Sequence, residues 1–183
     1  MAQNDSSTDP LARFGEVPLF RLTSTDMQHG QPLKPAQYST GAGGQGVSPQ
    51  LEWSGFPSST RSFAVTAYDP DAPTGSGFWH WAVYNLPASV TSLPAGAGAL
   101  SGRLLPAEAR TLPNEARQPE FTGAAPPDGT GTHRYQFIVH AVDVPSLTLD
   151  PESTPAILGI TLYRHVLGRA IIEATGVFGG GAG

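Results

Sequence analysis

Turn-forming residues set the first limit on this chain. It holds 22 Gly and 18 Pro among 183 residues, and each breaks a helix interior, by adding backbone entropy or by removing a hydrogen bond. A helical bundle is excluded, and many short strands joined by turns are expected. Cysteine is absent, which rules out disulfides and thiolate metal sites. At this length one domain is the natural reading, and it can bury roughly 70 % of its unfolded surface.

Strand periodicity is clear in three places. Ser62 to Tyr68 puts Phe63, Val65 and Ala67 on one face. Phe78 to Leu86 puts Trp79, Trp81 and Val83 on one face and His80, Ala82 and Tyr84 on the other. His133 to Val144 aligns Tyr135, Phe137, Val139 and Ala141 with His133. Val17 to Thr23 makes a plausible first strand, and Gln28 to Pro49 reads as loop. One helix is predicted, capped by Thr154 with Pro155 at its first position. Its stripe is Ile160, Tyr163, Leu167 and Ala170. Residues Ile171 to Phe178 either continue it or form a last strand, which the paired Ile171 and Ile172 favour. Residues 1–15 read as a disordered lead, 16–178 as the single domain and 179–183 as a flexible Gly-rich tail.

The formal net charge is −5, so the basic footprint required by nucleic acid is missing. No apolar run reaches the roughly 18 residues needed to span a bilayer, and residues 1–10 show no secretory signal. A cytoplasmic address is expected. Gly41-Ala42-Gly43-Gly44-Gln45-Gly46 matches a dinucleotide fingerprint in letters only. It lacks the preceding buried strand and the following helix that the mechanism needs. Ser76 lacks a nucleophile-elbow setting and reads as a turn. The five His form no zinc motif; His29 reads as solvated, and His140 and His165 as packing or surface groups.

The remaining chemistry gathers in three segments. Asp69-Pro70-Asp71-Ala72-Pro73 follows a hydrophobic strand, and its prolines stiffen the turn. A short Gly-rich turn then leads into Phe78-Trp79-His80-Trp81, bringing His80 near that turn. Farther on, Gly123-Ala124-Ala125-Pro126-Pro127 precedes Thr132-His133-Arg134-Tyr135. Imidazoles, a phenol and the amides of a small-residue loop suit an anion such as phosphate. A neighbouring carboxylate would fix the imidazole tautomers or favour the cation.

These three segments in this order resemble the phosphatidylethanolamine-binding (Raf-kinase-inhibitor-like) family. Ser48-Pro49-Gln50-Leu51-Glu52-Trp53-Ser54-Gly55 is similar to another of its elements. The likeness runs from about Val17 to Phe178 and looks closest to the short bacterial branch. It implies a mainly β fold: a large central antiparallel sheet, a smaller flanking sheet and a C-terminal helix. It also implies a small pocket for phosphate, phosphomonoesters or phospholipid headgroups. Carried over by position, that pocket is Asp69, Ala72, Pro73, His80, Gly123, Pro126, His133 and Tyr135, with Asp71 supporting the loop. Many members have Gly-Pro-x-Pro-Pro where this chain has Gly123-Ala124-Ala125-Pro126-Pro127, so a looser loop is expected.

The reading is a non-enzymatic binding protein with no cofactor and no metal. By resemblance its partners would be a headgroup, a protein kinase or protease under regulation, and a second copy in a homodimer. Two other readings are a hydrolase using the His and Asp groups and a protease-inhibitor module acting through the irregular stretch Leu104 to Pro119.

Overall fold

The computed structural model describes residues 15–182, so the expected disordered lead lies, but for Gly15, outside the described residues. The described residues form eight strands and one α-helix: β1 (Arg21–Thr23), β2 (Leu51–Ser54), β3 (Ser62–Asp69), β4 (Phe78–Pro87), β5 (Ser92–Leu93), β6 (Arg110–Thr111), β7 (His133–Val142), α1 (Pro155–Leu162) and β8 (Val166–Gly176). A five-stranded sheet runs β6-β4-β3-β7-β8 and a three-stranded one runs β1-β2-β5. Every pairing between these strands is antiparallel. The expected architecture is therefore present. Among the described residues no helix is long and apolar enough to cross a membrane.

The two sheets bury one core between them. Trp53 from the small sheet shares this core with Phe63, Val65, Trp81, Val83, Phe137, Val139, Ala170 and Ile172 from the large one. A second cluster lies on the other face of the large sheet, where Leu158 and Leu162 of α1 cover Ala64, Ala82, Tyr84 and Val142. Fully burying one such large side chain contributes about 1.5–3 kcal/mol.

Two readings of the sequence need correction. The helix stops at Leu162, and its expected stripe is not the buried one. Ile160 and Tyr163 are 61 % and 56 % exposed, whereas Leu158 and Leu162 are sealed. Leu167 and Ala170 belong to β8, where β-branched neighbours and a ten-residue partner on β7 outweigh helical periodicity. The second correction concerns β4. Its register shifts so that Ala67 faces Trp81 while Tyr68 faces Trp79. A β-bulge thus makes His80 an extra residue on this strand. Trp81 points into the main core, and Trp79 instead stacks on Tyr68 at 4.4 Å. Smaller differences follow the same logic of edge pairing. The irregular stretch holds the two-residue β6 against β4, and the first strand begins only at Arg21.

The loop between β3 and β4 is held at both ends. Asp69 Oδ1 accepts from the Asp71 amide at 2.9 Å, closing an Asx-type turn. Asp71 in turn takes the Arg134 guanidinium through both carboxylate oxygens, each at 2.8 Å, and the Arg134 backbone amide at 2.8 Å. Gly77 closes the loop at φ +70, where a Cβ would collide with Tyr68 and with the Asp69 carbonyl. At the far end of the chain, Gly180 and Gly181 lie so close to Tyr38 that a Cβ on either would overlap its side chain.

A second shift in β4, between Phe63 and Val65 of its partner strand, coincides with Asn85 at φ 60. The Asn85 amide donates to Leu147 O at 3.1 Å and accepts from Leu147 N at 2.7 Å. Asn85→Gly keeps the backbone but loses both bonds, so stability should fall by about 1–3 kcal/mol. Asn85→Ala adds left-handed strain of about 1–2 kcal/mol and should be the less stable of the two. Urea unfolding reads the order; wild-type midpoints in both variants would refute it. Asp71 gives a second expectation. The Arg134 side chain, helped by its backbone amide, holds the Asp71 carboxyl below the ordinary 3.8 despite partial burial. The folded pKa is depressed, so this stabilisation is present above about pH 4 and fades as pH drops through the folded value. Between pH 5 and pH 2 the urea midpoint of wild type should fall more steeply than that of Asp71→Asn; parallel curves would remove the linkage.

Candidate functional site

The central sheet encloses a cavity of about 230 Å³ at the end where β3 leaves, β4 enters and β7 begins. Seven of the nine expected residues line it: Asp69, Ala72, Pro73, His80, Gly123, His133 and Tyr135. Asp71 stands outside as the loop's anchor to Arg134. Pro126 does not line it either; Ala125 and Pro127 take that place.

The Gly123 loop explains that displacement. It runs extended between β4 and the segment after the 3₁₀ turn Pro35–Gln37. The Thr122 amide donates to His80 O at 2.8 Å, the Ala124 amide to Gln37 O at 3.0 Å, and the Ser39 amide to Ala124 O at 2.9 Å. In an extended chain alternate residues point to opposite sides. Ala125 and Pro127 therefore face the cavity, which the Gly123 backbone also lines, while Ala124 and Pro126 are buried against the protein. A Cβ on Gly123 would overlap the Tyr38–Ser39 backbone, which makes glycine obligatory there. The loop is not loosened by Ala124. The amide that a proline would lack is spent on Gln37 O, so hydrogen bonds replace the stiffness of a ring. Period-two reading of Thr122 to Pro127 could have found Ala125 and Pro127. Phe78, Thr74 and Thr122, which also line the cavity, carried no chemical signal beyond adjacency to the named residues.

His133 is almost sealed, with 1 % of its surface exposed. Its Nδ1 lies 2.7 Å from Asp69 Oδ2, and its Nε2 lies 2.8 Å from Thr130 Oγ1. A carboxylate accepts, so Nδ1 carries a hydrogen. Both ring nitrogens are thus engaged within the protein. The sequence reading gave His133 a free donor; in the fold its nitrogens instead join the Asp69 turn to the Thr130 loop.

His80 differs in charge from the cation suggested by a nearby carboxylate. Burial pushes its pKa below 6.5, against the opposing pull of the Thr122 carbonyl and the Asp69 carboxylate. It is neutral at pH 7. Its Nδ1 lies 2.6 Å from Thr122 O, and a carbonyl can only accept, so the single ring hydrogen resides on Nδ1. That leaves Nε2 as a lone-pair acceptor. The β4 bulge supplies the ring's orientation: it packs against Phe78 at 4.8 Å and edge-on to Tyr135 at 5.2 Å.

Tyr135 completes the wall. Its Oη is buried and makes no well-formed hydrogen bond within the protein, although the Asp69 carboxylate and the Ala125 backbone stand close enough to act on it. Burial, then the Asp69 carboxylate, holds the phenol far above its usual 10, so it stays protonated and is a donor. Among the described residues no group of three or more His, Asp or Glu is arranged to hold a metal ion. His140 is a buried core histidine, its Nε2 3.2 Å from Thr66 Oγ1 and its pKa pushed down to about 3 by desolvation and Arg169. His165 pairs with Asp143 at the surface at 2.8 Å.

Comparison with known proteins places the fold in a family. Residues 23–178 match the phosphatidylethanolamine-binding protein family model. The UPF0098 protein YbcL of Escherichia coli is 44 % identical over 155 residues, covering 84 % of this chain and 85 % of that protein. The UPF0098 protein YbhB of the same organism is 42 % identical over 157 residues, covering 84 % and 98 %. The crystal structure of E. coli YbcL, described as a new member of the mammalian PEBP family, superposes with a TM-score of 0.82 at 42 % identity, covering 85 % of this chain and 96 % of that one. A phosphatidylethanolamine-binding protein homolog from Chlamydia trachomatis gives a TM-score of 0.73 at 28 % identity, covering 87 % and 97 %. With the family model spanning most of the chain and the sheet pair reproduced in its relatives, this protein belongs to the phosphatidylethanolamine-binding protein family.

Proposed function

We propose that this chain is a non-enzymatic binding protein whose cavity takes a phosphate, a phosphomonoester or a phospholipid headgroup. The observation that carries the reading is Tyr135 Oη, a buried hydroxyl without a well-formed hydrogen bond in the protein, on a residue that lines the cavity. Leaving such a group unpaired costs about 1–3 kcal/mol, which a ligand oxygen would recover. Gly123 and Ala125 add a small-residue loop that backbone-seeking anions can approach closely. The volume of about 230 Å³ falls below the roughly 300–1,000 Å³ of sites for drug-sized molecules. It suits a headgroup. The description of the matched family points to the same class of ligand.

Binding without turnover is supported by the hydroxyls in the wall. Thr74 Oγ1 donates to Gly77 O at 2.6 Å, and Thr122 Oγ1 accepts from the Asn114 amide at 2.6 Å. Neither is paired with a general base, as an activated nucleophile would be; Thr130 Oγ1, which does meet His133 Nε2, is outside the lining and donates to Pro127 O at 2.7 Å.

Tyr135→Phe should weaken phosphate or phosphoethanolamine binding about tenfold by calorimetric titration. The same substitution should leave the thermal midpoint unchanged or raised, because it deletes an unsatisfied buried hydroxyl. Undiminished affinity would withdraw the main support for the site. Turnover of a chromogenic phosphoester that vanishes in Asp69→Asn would identify a hydrolase instead.

A further inference from the structure

The cavity has an unusual charge balance for an anion site. Among the described residues that line it there is no Lys or Arg, and Asp69 brings a carboxylate into the wall. Arg134, the nearest guanidinium in sequence, is spent on Asp71 outside the cavity. A fully deprotonated oxyanion would therefore meet a negative group with no dedicated cation opposite. It would also meet the His80 ring, which lines the cavity and whose single hydrogen is committed through Nδ1 to Thr122 O. A lone pair facing a lone pair leaves both groups unsatisfied in a buried setting.

From this geometry we infer that the site selects an oxyacid monoanion that still carries an acidic hydrogen, such as a singly protonated phosphomonoester, and that His80 Nε2 is the acceptor that reads that hydrogen. The inference rests on the binding function proposed above and adds the protonation state of the ligand. The ligand hydroxyl donates to His80 Nε2, and the Tyr135 hydroxyl donates to a ligand oxygen. The titratable groups facing His80 are Asp69 from β3 and His133 and Tyr135 from β7, while the Thr122–Gly123 segment faces it with carbonyl groups and no ionisable side chain. Asp69 favours the His80 cation and His133 opposes it, but desolvation outweighs both and the net effect favours the neutral ring.

Methyl phosphate and methyl sulfate separate the alternatives, since they share shape and differ in the acidic hydrogen. The second ionisation of a phosphomonoester falls near pH 6, so at pH 5 both ligands are monoanions, and only methyl phosphate has a hydrogen to give. Calorimetric titration of the full chain at pH 5 should show methyl phosphate binding at least about tenfold tighter than methyl sulfate. At pH 8, where methyl phosphate is a dianion, its affinity should fall by about tenfold or more. In His80→Ala and His80→Phe, neither of which can accept the ligand hydrogen, whichever folds, the preference for phosphate over sulfate should shrink to about twofold or less, a change that loss of shape alone would not give. Equal binding of the two ligands by wild type at pH 5, or tighter methyl phosphate binding at pH 8, would overturn the selection while leaving the anion site standing. If neither ligand binds at either pH, the site reading falls, and the inference with it.

Discussion

His133 Nδ1 and Asp69 Oδ2 stand 2.7 Å apart with side chains 1 % and 4 % exposed, and the geometry of the cavity follows from that contact. The ladder between β3 and β7 ends at Tyr68 and Gln136. Beyond it the two chains have no backbone bonds to hold them together, yet the pocket lies there. The buried pair continues the contact with side chains, and removing one partner of such a pair costs about 3–5 kcal/mol. One step outward, Asp71 takes Arg134 in a two-pronged grip. Asp69 and Asp71 thus bind successive residues of β7 from successive odd positions of one loop. The inner pair shapes the wall and the outer pair fixes the loop that carries Ala72 and Pro73.

Two bulges in β4 do for the opposite wall what the carboxylates do for this one. At His80 the extra residue lets an imidazole enter the cavity while its neighbour Trp81 stays in the core. A regular strand would have sent one of them to the wrong face. At Asn85 the extra residue turns the strand's exit and fastens it to Leu147. Both devices sacrifice ladder hydrogen bonds, which the five-stranded sheet can tolerate because β3 is paired on both sides along most of its length.

Most of the architecture was legible in local pattern. Period-two runs located β3, β4 and β7, the Thr154-Pro155 pair located the start of α1, and the Asp loop, His80 and His133 segments do converge. What failed was tertiary. The stripe Ile160, Tyr163, Leu167, Ala170 fits a helix on paper, but β7 offers the same residues a full partner strand from Val166 onward, and pairing outweighs weak periodicity. The faces of Trp79 and Trp81 depend on a bulge that no letter announces. The role of His133 depends on Thr130, a loop residue without any motif, and the protonation of His80 depends on burial that only packing creates. Composition did foretell that helices would be scarce, and it said nothing of where the polar atoms would meet.

Burial moves the two remaining polar groups in one direction. It depresses the His80 pKa and raises that of Tyr135, so both side chains are driven to their neutral forms, one an acceptor and the other a donor. A protein of formal charge −5 cannot draw an anion by its overall field, and this wall offers no Lys or Arg to do so locally. Recognition by neutral groups works differently from recognition by a cationic cluster. Its strength lies in directed hydrogen bonds inside a small desolvated volume, where an unmatched lone pair is costly. Discrimination then depends on where the hydrogens are more than on how much charge is present. The same burial that makes the His and Tyr poor ion-pairing groups leaves one neutral acceptor and one neutral donor, the pair that the proposed reading of a ligand's protons requires.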